Sequence, residues 1–150
     1  TEQGLVEPKL WNRVQEAALA VFSRGREVAA RAGLILADTK YELGLGPDNE
    51  LLLIDEVHTP DSSRFWETGS YEERLAAGDE PESLDKEIVR RAYAATGCRG
   101  EGEPPVLESN VWSDTSDRYI RAYERITGTT FERGSYPVGP RLITNLTNLT

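Results

Sequence analysis

The sequence predicts an α+β fold, in which an antiparallel hairpin or small sheet is packed by helices. A long amphipathic run over residues 8–32 precedes two short apolar runs, 34–45 and 51–57, that are separated by a turn. Two further helical patterns follow, at 83–96 and 114–127, each closed by a glycine. The 150 residues suit one compact domain with a core of its own.

The elements are justified in order. Pro8 suits a first helical turn, and Leu10, Val14, Ala17, Val21 and Val28 recur on one face. Gly33 ends this helix, and Gly25 weakens it from within. Gly46-Pro47-Asp48-Asn49-Glu50 is a turn by composition, so Leu34–Leu45 and Leu51–Val57 read as a hairpin. A loop over Pro47–Glu50 sets Leu45 opposite Leu52, Leu43 opposite Ile54 and Glu42 opposite Asp55, which keeps apolar and charged faces apart. Residues 58–82 read as loop with a short helix at 71–77. Ser83 and Gly97 cap the next helix, and Tyr119, Ala122, Tyr123 and Ile126 mark one face of the last, which Gly128 ends. The tail from Thr129 shows little pattern; its two Asn-Leu-Thr triplets match the glycosylation sequon and read as a polar terminus.

Composition excludes several kinds of chemistry. With 17 Lys+Arg against 26 Asp+Glu the net charge is −9, which speaks against a nucleic-acid footprint. No apolar run reaches the roughly 18 residues that a membrane span needs, and no signal-peptide pattern opens the chain. A single Cys and a single His exclude a disulfide framework and the clustered zinc sites. The chemistry therefore rests on carboxylates, Lys, Arg and backbone groups.

The run Asp38-Thr39-Lys40-Tyr41-Glu42-Leu43-Gly44 places three charged residues on one strand face, with Tyr41, Leu43 and Leu45 on the other. Two opposed carboxylates repel unless a cation sits between them, and a hard divalent ion suits both carboxylates and phosphates. A solvated charged face with Lys40 between acids fits the same pattern. Asp55-Glu56-Val57-His58-Thr59-Pro60-Asp61-Ser62-Ser63-Arg64-Phe65-Trp66 then gathers acids, hydroxyls and an Arg suited to gripping phosphate. His58 reads as a bystander, and Cys98 has no partner to activate it. Lys86 and Arg90 share a helical face, near Glu82 and Glu87.

Together these two motifs resemble the C-terminal part of SAICAR synthetase (phosphoribosylaminoimidazole-succinocarboxamide synthase), a family of purine biosynthesis. Arg118-Tyr119-Ile120 through Thr127-Gly128 agrees as well, and the resemblance spans roughly Leu10–Phe131. The family usually has Phe where Leu43 stands, on the core side. The resemblance implies an ATP-grasp-like architecture with ATP between two lobes. Residues 1–150 would be the C-terminal ATP- and substrate-binding lobe, and the β-rich N-terminal lobe would be absent from this chain. It implies ATP-dependent ligation of L-aspartate to carboxyaminoimidazole ribonucleotide through an acyl phosphate, in the cytoplasm, with ATP and Mg2+ required.

By the same resemblance Glu42 and Asp55 are the metal-associated acids. Lys40 serves nucleotide and acyl phosphate, with Asp38 beside it in the catalytic motif. Ser62, Ser63 and Arg64 hold the ribonucleotide, and Lys86 and Arg90 line its cleft. A chain carrying the N-terminal lobe is the expected partner, and the isolated chain is expected to be inactive. The alternatives are a non-catalytic nucleotide- or partner-binding half and, more weakly, a carboxylate–magnesium phosphohydrolase.

Overall fold

A computed structural model describes residues 4–148. In chain order these form α1 (Pro8–Arg31), β1 (Leu34–Thr39), β2 (Leu43–Leu45), β3 (Leu51–Leu53), β4 (Ser63–Glu67), α2 (Thr68–Ala77), α3 (Glu87–Ala95), α4 (Ser109–Thr127) and α5 (Val138–Thr147). The α+β expectation holds, but the strands form two antiparallel pairs, β1–β4 and β2–β3.

Helix α1 matches its sequence pattern. Leu10, Val14, Ala17, Val21 and Val28 are half-buried, and Gly25 and Ala29 complete the stripe as its fully buried members. Gly33 follows with φ +68°, and the guanidinium of Arg125 on α4 donates to the carbonyls of Ala32 and Gly33, each at 2.9 Å. These groups would otherwise be orphan acceptors at a helix end. The core beneath is Ala29, Leu34, Leu36, Phe65, Leu84 and Ala122, with Phe22, Ala32 and Ile126 packed against it.

The run read as one long strand is two. β1 pairs with β4, in the segment expected to be loop, because Ser63 and Phe65 alternate inward with Arg64 outward. At Lys40 the chain leaves this ladder, and by Leu43 it has joined β3. The hairpin register also differs from expectation: Leu43 faces Leu53 and Leu45 faces Leu51. Asn49 takes a left-handed φ of +58°, and the Gly46 N–H donates to the Glu50 carbonyl at 2.9 Å. Three residues therefore close the turn rather than four, a common hairpin geometry. Glu42 consequently lies opposite Ile54, whose N–H donates to the Glu42 carbonyl at 3.0 Å, and not opposite Asp55. Tyr41, Leu43, Leu51 and Leu53 still face Ala17, Ala18 and Val21 of α1, around a hollow of about 90 Å³. The outer face mixes Glu42 with the exposed Leu52 and Ile54.

Three helix boundaries move. α2 begins at Thr68, directly after β4, and ends on Gly78 at φ +77°. α3 begins at Glu87, because Ser83 and Leu84 are spent pairing with β4 and Ser83 is no N-cap. α4 starts at Ser109 and stops at Gly128. The tail contains α5, where Pro140 sits in the first turn and removes no helical hydrogen bond. The first sequon triplet lies on α5; the second extends outside the described residues.

Candidate active site

The site is built on the β1–β4 ladder. The register shifts between Leu36 and Asp38, a bulge at Ala37 that brings Asp38 opposite Arg64 and Thr39 opposite Ser63. Arg64 grips Asp38 with two donors, Nε to Oδ1 at 2.9 Å and Nη2 to Oδ2. This bidentate pairing is the strong form of a carboxylate contact. It holds the Asp38 carboxyl below the usual carboxylate range and pushes the guanidinium further up. Thr39 and Ser63 hydroxyls lie 2.8 Å apart, and the Lys40 N–H extends the ladder to the Ser62 carbonyl at 3.3 Å.

Lys40 stands where the chain crosses from one strand pair to the other. Its ammonium contacts Glu42 Oε1 and lies 3.5 Å from Asp55 Oδ2, so the two acids meet through a cation although their backbones are not paired. The hydrogen bond to Glu42 raises the Lys40 pKa. Both carboxylates keep much of their surface in solvent. Among the described residues no cluster of three or more Asp, Glu, His or Cys would hold a metal unaided. The carboxylate oxygens of Glu42 and Asp55 are the donor type that suits a magnesium ion.

The loop after β3 is tied by Thr59. Its hydroxyl donates to Glu56 Oε2 at 2.7 Å and accepts from the Ser62 N–H at 3.2 Å, while the Ser63 N–H donates to its carbonyl at 2.9 Å. These bonds present Ser62 and Ser63 at the start of β4. Across from them, Asp85 is fully buried and accepts the N–H of Phe65 at 3.1 Å and of Glu87 at 2.9 Å. It fastens the start of α3 to β4 and so orients Lys86 and Arg90. Burial pushes the Asp85 carboxyl up, against the opposing pull of these two N–H groups. Tyr119 of α4 is pushed up to about 12 by burial and then by the charges of Asp61, Asp85 and Glu56.

Asp38, Lys40, Ser62, Ser63, Arg64, Lys86 and Arg90 line one open cleft of about 380 Å³, with Thr39, Asp61 and Glu87. Glu42 and Asp55 adjoin it through Lys40. Each cation has an acid: Lys86 lies 3.6 Å from Asp61, and Arg90 donates to Glu87 at 2.6 Å. These pairs are solvent-exposed on at least one side and weak individually. An incoming polyanion therefore competes on good terms for all four cations. Sequence reasoning missed Thr39, Asp61, Glu87 and the buried Asp85; the alternation of Ser63, Arg64 and Phe65 is the signal that would have found β4 and its partner Thr39.

A family model described as SAICAR synthetase matches residues 1–104. The chain belongs to the SAICAR synthetase family. It is 40% identical over 147 residues to the phosphoribosylaminoimidazole-succinocarboxamide synthase of Legionella pneumophila (strain Lens), covering 96% of this chain and 47% of that protein. It is 44% identical over 129 residues to the chloroplastic enzyme of that name from Arabidopsis thaliana, covering 85% of this chain and 31% of that protein. Among solved structures, the SAICAR synthase of Saccharomyces cerevisiae complexed with SAICAR superposes with a TM-score of 0.70 at 36% identity, over 86% of this chain and 42% of that one. A type-2 SAICAR synthetase in complex with ADP gives a TM-score of 0.60 at 26% identity, over 85% of this chain and 42% of that one. The chain thus spans less than half the length of these SAICAR synthetases. No described helix is long and apolar enough to cross a membrane.

Proposed function

We propose that this chain forms the C-terminal, ATP- and substrate-binding lobe of a SAICAR synthetase acting in the cytoplasm. In that reaction ATP phosphorylates the carboxylate of carboxyaminoimidazole ribonucleotide, releasing ADP. The amine of L-aspartate then attacks the acyl phosphate, the amide forms, and phosphate leaves with the displaced electron pair. The single observation that carries this reading is the convergence of Lys40, Arg64, Lys86 and Arg90, with the hydroxyls of Thr39, Ser62 and Ser63, in one cleft of a chain whose net charge is −9.

The residues divide the work by their placement. Arg64 trades one arm of its Asp38 pair for the ribonucleotide phosphate, with Ser62 and Ser63 donating beside it. Lys86 and Arg90 close the far wall of the cleft. Lys40 offers a proton-bearing ammonium to the phosphoryl oxygens, which suits a step that depends on positioning and charge neutralisation. Glu42 and Asp55 would hold magnesium, which would supply neutralisation of phosphate charge. The rest of the relatives' length would supply the second wall around ATP, as a partner segment or chain.

The test is product formation from ATP, magnesium, aspartate and the ribonucleotide. This chain is assayed alone and with the N-terminal portion of a relative. Product should require both, and Arg64→Ala should lower turnover of the complemented enzyme at least 100-fold. Steady product from the chain alone sinks the two-lobe reading, and full activity of the Arg64→Ala complex sinks the site assignment. A complex that binds nucleotide without turnover would favour the non-catalytic alternative.

A further inference from the structure

One glycine and the only histidine of the chain meet across the fold. Gly25 is a buried residue in the middle of α1. The imidazole of His58 lies flat in the gap its missing side chain leaves: a methyl built on Gly25 would stand 2.6 Å from Nδ1 and 2.7 Å from Nε2. Real carbon atoms never approach that closely. His58 takes a left-handed φ of +55°, a conformation uncommon for residues with a side chain. Its ring is bonded through Nε2 to the Tyr41 hydroxyl and sits edge-on to the Tyr41 ring, with centroids 5.5 Å apart. One ring nitrogen is thereby engaged by Tyr41 and the ring itself by the gap at Gly25, two positions far apart in sequence. The next residue, Thr59, is the one whose hydroxyl and carbonyl hold Ser62 and Ser63 in place.

We propose that Gly25 and His58 are a matched notch and latch that anchors the 54–62 loop on α1 and thereby sets Ser62 and Ser63 at the phosphate cleft. His58 is a positioning residue and carries no proton in the reaction. The anchoring half stands on this geometry alone. The half that concerns phosphate rests on the function proposed above.

A double-mutant cycle tests the anchor. Gly25→Ala fills the notch and should lower the thermal midpoint. His58→Asn withdraws the ring while keeping a residue that tolerates positive φ. In that background Gly25→Ala should raise the midpoint, because alanine is the better helix former. The sign of one substitution thus reverses with the identity of a residue 33 positions away. Should Gly25→Ala alone not fold, recovery of folding in the double variant supports the latch. An equal loss in both backgrounds, or a double variant that stays unfolded, overturns it.

Positioning is read separately, by titrating folded wild-type and His58→Asn chains with inorganic phosphate. The backbone amide signals of Ser62, Ser63 and Arg64 report binding, and the lone imidazole signal reports the latch. The wild-type imidazole should keep one chemical shift throughout the phosphate titration, and His58→Asn should weaken phosphate binding about tenfold. Unchanged affinity in His58→Asn overturns the positioning role. A wild-type chain that shows no phosphate response overturns that role and the phosphate reading with it, while the sign reversal still decides the anchor.

Discussion

Asp85 shows how much one side chain decides at this site. It is fully buried, and backbone N–H groups from two elements donate to it. Removing it leaves both donors without partners, and each buried unpaired group costs roughly 1–3 kcal/mol. We expect Asp85→Ala to destabilise the chain by about 3 kcal/mol in urea unfolding, and Asp85→Asn, which keeps one acceptor, by clearly less. Equal losses for the two variants would show that neither the side chain's shape nor one remaining acceptor is enough, and would count against this account. Asp85 stands in a stretch that reads as a helical turn, where an acid is ordinarily solvated, so its burial was not legible in the sequence. Its neighbours Lys86 and Arg90 were legible, because a four-residue spacing shares a helical face whichever turn the helix starts on.

At the scale of elements, the helices were easier to read than the strands. Helix α1 depends on local periodicity and on Pro8 and Gly33, which act within a turn of themselves. Which strand pairs with which depends on contacts distant in sequence. The run 34–45 looked like a single strand because nothing local marks the change of partner at Lys40. The turn at Asn49 was legible as a turn but not as a three-residue one, and that one residue moved Glu42 from Asp55 to Ile54. Lys40 restored the meeting of the two acids by another route. Arg125 is the clearest long-range tie between elements: it joins α4 to the end of α1 and, with Arg121, to Glu67 at the end of β4. Arg125→Met keeps the aliphatic stem and removes three donors' worth of contacts. It should lower stability by about 2 kcal/mol, the order expected for a few part-buried charge-assisted bonds. Hydrogen exchange should then quicken at the last turn of α1 before it quickens in β1. Uniform quickening across the chain would count against Arg125 as a local clasp.

At the scale of the whole molecule, His58 contributes to the response to mild acid. Burial lowers its pKa below the ordinary 6.5, so the folded state prefers the neutral ring. The unfolded chain then binds more protons than the folded one between the two pKa values. Stability contributed by the neutral ring is fully present above about pH 6.5, the unfolded value, and is lost as pH falls through the lower folded value. Thermal midpoints should therefore decline below that pH in the wild type more steeply than in His58→Asn. Parallel declines would mean that carboxylates alone govern acid unfolding. At this scale the sequence was legible in charge: a chain of net −9 must cluster its cations deliberately to attract an anion, and four of them do meet in one cleft.

The bulge at Ala37 carries a consequence for how this site tolerates change. Ala37 has no partner across the ladder, and its side chain takes no part in the cleft. It is the extra residue of a bulge, and what it adds is a local bend of the strand. Many side chains would serve in its place. Losing the position altogether would close the bulge into a regular ladder, with Asp38 still opposite Arg64 and Thr39 opposite Ser63. Lineages could vary both the letter and the length at this point without parting Asp38 from Arg64.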